Sequence, residues 1–288
     1  GLRTSLAQIA ADELGVDPGS IRVIASDTDQ TPYGWGSFGS RAMVIAGGAT
    51  KQAGAELNSR IRQAAGQMLE CTPEDLDIRD GKGTVRGDEK HVEVAEVARA
   101  IHHSSHRFTG EAARLDVEAR YDPAGTFSNA VHVAEVEIDA RTGKVTILRF
   151  LVVEDAGRLI NPMIVDGQVQ GGIAQGVANA LLEELVYNEA GLLTSASFMD
   201  FLPPTTLEVP HIEIHHLSTI SPATATGAKG VGEGGLIGAP AAILNAMSDA
   251  LAPLGVEIFH MPATPARVRA AISAATAPDQ PRARRSRP

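Results

Sequence analysis

Between Asp166 and Gly176 the sequence sets four glycines, Gly167, Gly171, Gly172 and Gly176, into a helical pattern. Val169, Ile173, Val177 and Leu181 recur every fourth residue and predict a helix from Val165 to Val186. Each glycine inside a helix costs about 1 kcal/mol relative to alanine. A fold that keeps them must offset that cost. Either another element packs against the bare backbone, or a ligand lies on it, and the pattern leaves both readings open. Gln168, Gln170 and Gln175 lie among these glycines. Their amides donate and accept, which suits a polar heterocycle or the edge of a phosphate.

Two further stretches are built alike. Tyr33-Gly34-Trp35-Gly36-Ser37-Phe38-Gly39-Ser40-Arg41 precedes a long helical pattern from Arg41 to Glu70, with Ser40 placed as its N-cap. First-turn amides of such a helix favour an anion. The same composition equally suits a flexible capped loop. In Gly227-Ala228-Lys229-Gly230-Val231-Gly232-Glu233-Gly234-Gly235, residues 230–235 fit the spacing G-x-G-x-x-G. A dinucleotide fingerprint also needs an apolar strand before it and a helix opening at it. Here a Pro/Thr/Ala-rich segment precedes, and the clear helical pattern begins later, at Pro240. What stands out is one carboxylate, Glu233, framed by glycines: either a general base held near a substrate or an exposed acidic turn.

Composition narrows the classes. Among 288 residues, 43% are hydrophobic and 21% charged, so the chain predicts a globule. A net charge of −10 argues against a duplex nucleic-acid partner and an anionic membrane surface. There is no signal peptide and no run of eighteen apolar residues, so no membrane span is expected. Cys71 is the single cysteine, which excludes an internal disulfide and a cysteine-held cluster and fits a reducing cytoplasm. No arrangement around it suggests a nucleophile. His102 with His106, or His211, Glu213 and His215 along one strand, have metal-ligand spacing. With no supporting motif, no protein-ligated metal is expected.

Along the chain, the pattern predicts helices over Thr4–Leu14, Arg41–Glu70, Val94–His102, Val165–Val186, Pro240–Leu251 and Pro265–Ala274. Strands are expected at Ile21–Ala25, in a Leu76–Arg86 hairpin about Asp80-Gly81, weakly before Asp122, and at Val131–Ile138 and Val145–Val153. Without regular βαβ alternation this reads as α+β. A boundary near residue 115 divides it into subdomains 1–115 and 116–275. A disordered tail follows from residue 276, rich in Pro and Arg from Pro278 to Pro288.

The stretches LGVDPGSIRVIASDTDQTPYGWGSFGSR, VEDAGRLINPMIVDGQVQGGIAQG and GAKGVGEGG followed by APAAILNAMSDAL stand in this order over roughly residues 1–275. Together they resemble the large subunit of molybdenum hydroxylases, the family of xanthine dehydrogenase, aldehyde oxidase and aerobic carbon monoxide dehydrogenase. The style of SFGSR and GVGEGG is most similar to the bacterial carbon monoxide and heterocycle dehydrogenases.

The resemblance implies a molybdenum-bearing molybdopterin dinucleotide, in the cytosine form. Gly36, Ser37, Phe38, Gly39, Ser40 and Arg41 match a loop beside it. Gln168, Gly171, Gly172 and Gln175 match a cofactor-binding helix start. Lys229, Gly230, Val231 and Gly232 lead to the family's catalytic base at Glu233. The implied reaction oxidises an N-heterocycle, an aldehyde or carbon monoxide with water-derived oxygen. A family large subunit is much longer, and the chain opens at Gly1-Leu2-Arg3-Thr4 without methionine. The resemblance therefore implies the C-terminal half of a split subunit, or a fragment. The N-terminal half, a [2Fe–2S] subunit and a flavin (FAD) subunit would be partners. A nucleotide-binding module built on Gly230–Gly235 and a non-catalytic assembly subunit are the alternatives.

Overall fold

The computed structural model describes residues 1–277. Of the tail expected from residue 276, residues 278–288 lie outside them, whereas Thr276 still belongs to the last helix. The fold is α+β and divides into two compact units that are not contiguous in sequence. The first comprises residues 1–128, 156–164 and 218–230; the second comprises 129–155, 165–217 and the chain from 231 onward.

In the first unit, α1 (Leu2–Leu14) ends at Gly15, whose φ of 65° closes the helix in the left-handed region. It packs on α2 (Ala42–Leu69). Two glycines of α2 make this approach close. A Cβ on Gly54 would stand 2.8 Å from Cβ of Glu13, and one on Gly47 would stand 3.1 Å from Cδ1 of Ile9. The expected hairpin is present as β1 (Leu76–Arg79) and β2 (Lys82–Val85). Asp80 and Gly81 turn it with φ of 49° and 75°. β3 (His91–Glu93) adds a third antiparallel strand and leads into α3 (Val94–Ser104). Leu76, Val97, Ile101 and Phe108 join Ile61, Ala64 and Ala65 of α2 in one core.

Three local expectations fail here. Ile21–Ala25 is extended but pairs with no strand among the described residues, so it forms no ladder. The weak strand before Asp122 is likewise unpaired chain laid on α2. Arg60 Nη1 donates to the Asp116 carbonyl at 2.8 Å, and the Tyr121 ring lies on Gly48. Ser40 is not the N-cap of α2. Its φ is 58°, following 57° at Gly39, so two left-handed residues reverse the chain and Arg41 takes the cap position.

In the second unit, β4 (Asn129–Asp139) and β5 (Lys144–Asp155) pair antiparallel, and β6 (Ile212–Leu217) pairs parallel to β5. α4 runs from Pro162 to Leu181, starting three residues before and ending five residues before the expected Val165–Val186. Its start is signalled by Asn161-Pro162: Asn161 Oδ1 accepts from the Ile164 amide at 3.2 Å, and proline suits the first turn. A short α5 (Gly234–Ile237) and α6 (Ala239–Leu251) follow. α7 (Pro265–Thr276) is capped by Thr264, whose hydroxyl accepts from the Arg267 amide at 3.4 Å. Phe150, Val152, Val169, Ile173, Val177, Ile243, Met247 and Val268 form the core. Gly234–Leu254 is long and apolar enough to cross a membrane by length and composition alone. It is nonetheless two helices meeting at Gly238, and α6 buries Ala239, Ile243, Met247 and Leu251 in this unit.

Candidate functional site

Two of the three glycine stretches meet within the first unit. The loop 33–41 is held open: a Cβ on Gly34, Gly36 or Gly39 would meet nothing within 4 Å. Packing therefore does not demand these glycines. Gly36 and Gly39 have φ of 87° and 57°, which side chains resist. Tyr33, Trp35 and Phe38 project from the loop, exposed. The Arg41 guanidinium lies over both rings that flank it, 5.7 Å from the centre of Trp35 and 5.0 Å from that of Phe38.

The chain from Ser221 to Gly230 is knitted to itself and to Ala156–Arg158. The Gly227 carbonyl accepts from the amides of Arg158 and Ser221, each at 3.0 Å, and the Lys229 amide donates to the Ala156 carbonyl at 2.8 Å. Gly230 then packs on Ser40, where a Cβ would stand 2.7 Å from the Ser40 carbonyl oxygen.

The second unit holds the remaining stretch and Glu233. α4 has two faces. On the buried face, a Cβ on Gly172 would stand 2.9 Å from the Leu236 nitrogen, and one on Gly176 would stand 2.6 Å from Cβ of Ala239. Gly235 presses on the Val169 carbonyl from the other side. On the solvent face, Gly167, Gly171 and Gln175 follow at intervals of four, and a Cβ on either glycine would meet nothing within 4 Å. Gly171 and Gly172, paired by sequence reasoning, thus serve different faces.

Glu233 is exposed at the start of α5. Its turn is braced from both sides. Gln168 Nε2 donates to the Gly232 carbonyl at 2.8 Å. Gly234 rests on Glu154, and Gly238 rests on the His132 ring at 2.7 Å from a notional Cβ. The backbone after Glu233 is therefore pinned by α4, β4 and β5, which leaves the carboxylate on a rigid mount. Among the described residues no strand runs into Gly230, and α5 has only four residues, so the dinucleotide fingerprint lacks its context.

The other candidates separate. Among the described residues no group of three or more His, Cys, Asp or Glu is placed to hold a metal ion. Glu213 is bound instead by Arg149 through Nε and Nη2 at 2.5 and 2.8 Å. Burial, and then the Asp75 carboxylate, push the Cys71 thiol up, away from a reactive thiolate.

Sequence reasoning missed a buried cluster behind the Glu233 turn: Glu154 on β5, His132 on β4, and His216 on β6 bound to Asp166 of α4 at 2.7 Å. The only signal was an acidic pair, Glu154-Asp155, closing an apolar strand.

Trp35 is the sole tryptophan and is 70% exposed, so it reports on the first loop. Arg41→Ala should remove a cation–π contact worth about 0.5–1 kcal/mol at an exposed site. The Trp35 fluorescence of the chain should change while its thermal unfolding midpoint falls by no more than about 4 °C. Identical emission spectra would mean the stacked arrangement is not held in solution.

Residues 1–210 match the family model described as a molybdopterin cofactor-binding domain. The chain is 43% identical over 93% of its length to the nicotine 6-hydroxylase large subunit of Paenarthrobacter nicotinovorans, covering 33% of that protein. It is 36% identical over 93% of its length to the carbon monoxide dehydrogenase large chain of Hydrogenophaga pseudoflava, again covering 33%. The crystal structure of quinoline 2-oxidoreductase from Pseudomonas putida 86 superimposes with a TM-score of 0.87 at 44% identity, over 95% of this chain and 35% of that one. The chain thus spans about a third of the length of the curated relatives it matches.

Proposed function

This chain belongs to the molybdopterin cofactor-binding family of molybdenum hydroxylase large subunits, and we propose that it supplies the part of such a subunit that carries the general base, Glu233. The observation behind this is the mount of Glu233: an exposed carboxylate on a turn braced by Gln168 and by backbone contacts at Gly234, Gly235 and Gly238. A base works when held at fixed distance from the proton it takes, and such a turn provides that.

The residues fit a pterin dinucleotide. The first unit offers open backbone at Gly36 and Gly39, the first-turn amides of α2, Arg41 and Lys229, with Gly230 packed on Ser40 beneath the loop. The second offers the open α4 face of Gly167, Gly171 and Gln175, with Val231 and Gly232 before the base. Amides and glutamines of this kind bind phosphates and a heterocycle edge without cysteine or histidine ligands. When bound, a molybdopterin cytosine dinucleotide would supply a two-electron acceptor and the means to activate water. Glu233 accepts, on a carboxylate oxygen, the proton released as the water oxygen reaches the substrate carbon. Within the first unit, Arg41 steadies the exposed rings of Trp35 and Phe38 beside the open glycines of the same loop.

The substrate class we favour is an aromatic N-heterocycle, because two relatives above 40% identity are named for nicotine and quinoline. Partners follow from what the chain lacks. An iron–sulfur cluster takes about four cysteines, and this sequence has one. Electrons therefore leave through an iron–sulfur subunit and a flavin subunit, and the remainder of the large subunit completes the pocket. Exposed Phe198, Met199 and Leu207 in the second unit suit burial against such a partner. A reducing cytoplasm fits the assembly.

Co-expression of the chain with the rest of its large subunit and the two electron-transfer subunits tests this. The complex should contain molybdenum and cytosine dinucleotide, and should place oxygen from labelled water on an N-heterocycle. An assembled complex free of molybdenum, in cells that load other molybdenum hydroxylases, would favour the non-catalytic reading.

A further inference from the structure

Glu154 ends the apolar run of β5 and is only 1% exposed, yet neither carboxyl oxygen has a hydrogen-bond partner. Buried polar groups are almost always bonded, and a bare buried carboxylate is avoided by taking up a proton. Burial pushes the Glu154 carboxyl up from the ordinary range, and nearby His216 offsets part of this. The carboxyl sits directly behind the residue that follows Glu233. A Cβ on Gly234 would stand 3.1 Å from Oε2 of Glu154 and 3.5 Å from Oε1.

The groups around it come from every neighbouring element. On β6, His216 is the register partner of Glu154, so the two share a face of the sheet. Its Nε2 lies 2.7 Å from Oδ1 of Asp166, a half-exposed residue of α4. A carboxylate only accepts, so that bond places a proton on Nε2, while the buried Nδ1 has no partner. From β4, His132 turns its ring toward Gly238; burial pushes its pKa down, and the Gly234 backbone offsets part of this. Asp155 follows on β5, and the exposed Glu233 immediately precedes Gly234.

We propose that Glu154 is a positioning residue for Glu233: an uncharged acid that supports the Gly234 backbone, with His216, itself bound to Asp166 of α4, beside it on the same face of the sheet. The proposal rests on the reading of Glu233 as the base. While Glu154 keeps its proton, the Glu233 carboxylate has a neutral group behind it. Once Glu154 ionises, an unpaired charge enters the core against the residue that follows Glu233. The turn then yields, and the base loses its mount.

The test uses the assembled, cofactor-loaded enzyme. Infrared difference spectra between wild type and Glu154→Gln should reveal the carbonyl band of a protonated carboxylic acid at neutral pH. As pH rises the band should vanish. Over the same interval, amide hydrogen exchange at residues 231–238 should accelerate at least tenfold beyond the intrinsic pH dependence, and kcat/KM should fall. In Glu154→Gln that alkaline fall should move up by a unit or more. His216→Gln keeps a donor for Asp166 but removes the imidazole, so there the band should persist to higher pH. A wild-type spectrum without the band, or exchange at 231–238 that ignores its disappearance, overturns the proposal. If instead Glu233→Gln retains turnover, the base reading fails, while the infrared and exchange results still report on Glu154.

Discussion

Glu233→Gln should lower kcat by at least ~10²-fold in the assembled enzyme, the usual contribution of a general base. Glutamine matches glutamate in shape and still hydrogen-bonds, so the turn should stand unchanged. Gln168 should still donate to the Gly232 carbonyl, and Gly234 and Gly235 should still rest on Glu154 and Val169. Molybdenum and pterin contents should therefore equal those of the wild type, which separates loss of the base from loss of the cofactor. Because the defect lies in the transition state, kcat and kcat/KM should fall together with little change in KM. A variant with full molybdenum and near-normal turnover would remove Glu233 from the mechanism and send the search for a base to the rest of the large subunit.

The sequence carried these elements unequally, and the reasons are physical. Long periodic segments with chemical end signals were readable: α1 closed by Gly15, α7 opened by Thr264-Pro265, the hairpin turned by Asp80-Gly81. β4 and β5 were readable because they are long and meet at a tight turn. β6 entered only as a possible strand carrying His211, Glu213 and His215, since six residues with two isoleucines and one leucine give little pattern. Its partner β5 also lies far back in the chain, and parallel pairing leaves no local turn signal. Ile21–Ala25 shows the reverse error, a strand-like composition with nothing to pair with.

The glycines show the deeper limit. Composition cannot tell a glycine that makes room for a neighbouring backbone from one that leaves room for a ligand. The structure divides them: Gly172, Gly176, Gly230 and Gly235 are filled by protein, whereas Gly36, Gly39, Gly167 and Gly171 face open space. Glu154 was invisible for a related reason. A carboxylate at the end of an apolar strand reads as the point where the chain leaves the core, and only the β5–β6 register buries it beside His216.

That division yields the second large effect. Gly235→Ala should destabilise the protein by about 1–3 kcal/mol, the common cost of forcing a methyl into a packed interior. The added Cβ would collide with the Val169 carbonyl, which is backbone inside α4 and cannot turn aside as a side chain would. Relief requires α5 to lift away from α4, and Glu233 lifts with it, so activity should fall along with the unfolding midpoint. Gly171→Ala makes the same chemical change on the open face of the same helix. There alanine should stabilise the helix by about 1 kcal/mol, since nothing lies within 4 Å to resist it. If that face carries the cofactor, however, the methyl blocks backbone approach, and pterin content should drop in a protein that is more stable, not less. Denaturation curves and pterin analysis on both variants decide the matter. A Gly235→Ala protein as stable as wild type would mean that α5 does not press on α4 as described. A stabilised Gly171→Ala protein with full pterin would leave the open face of α4 without a ligand.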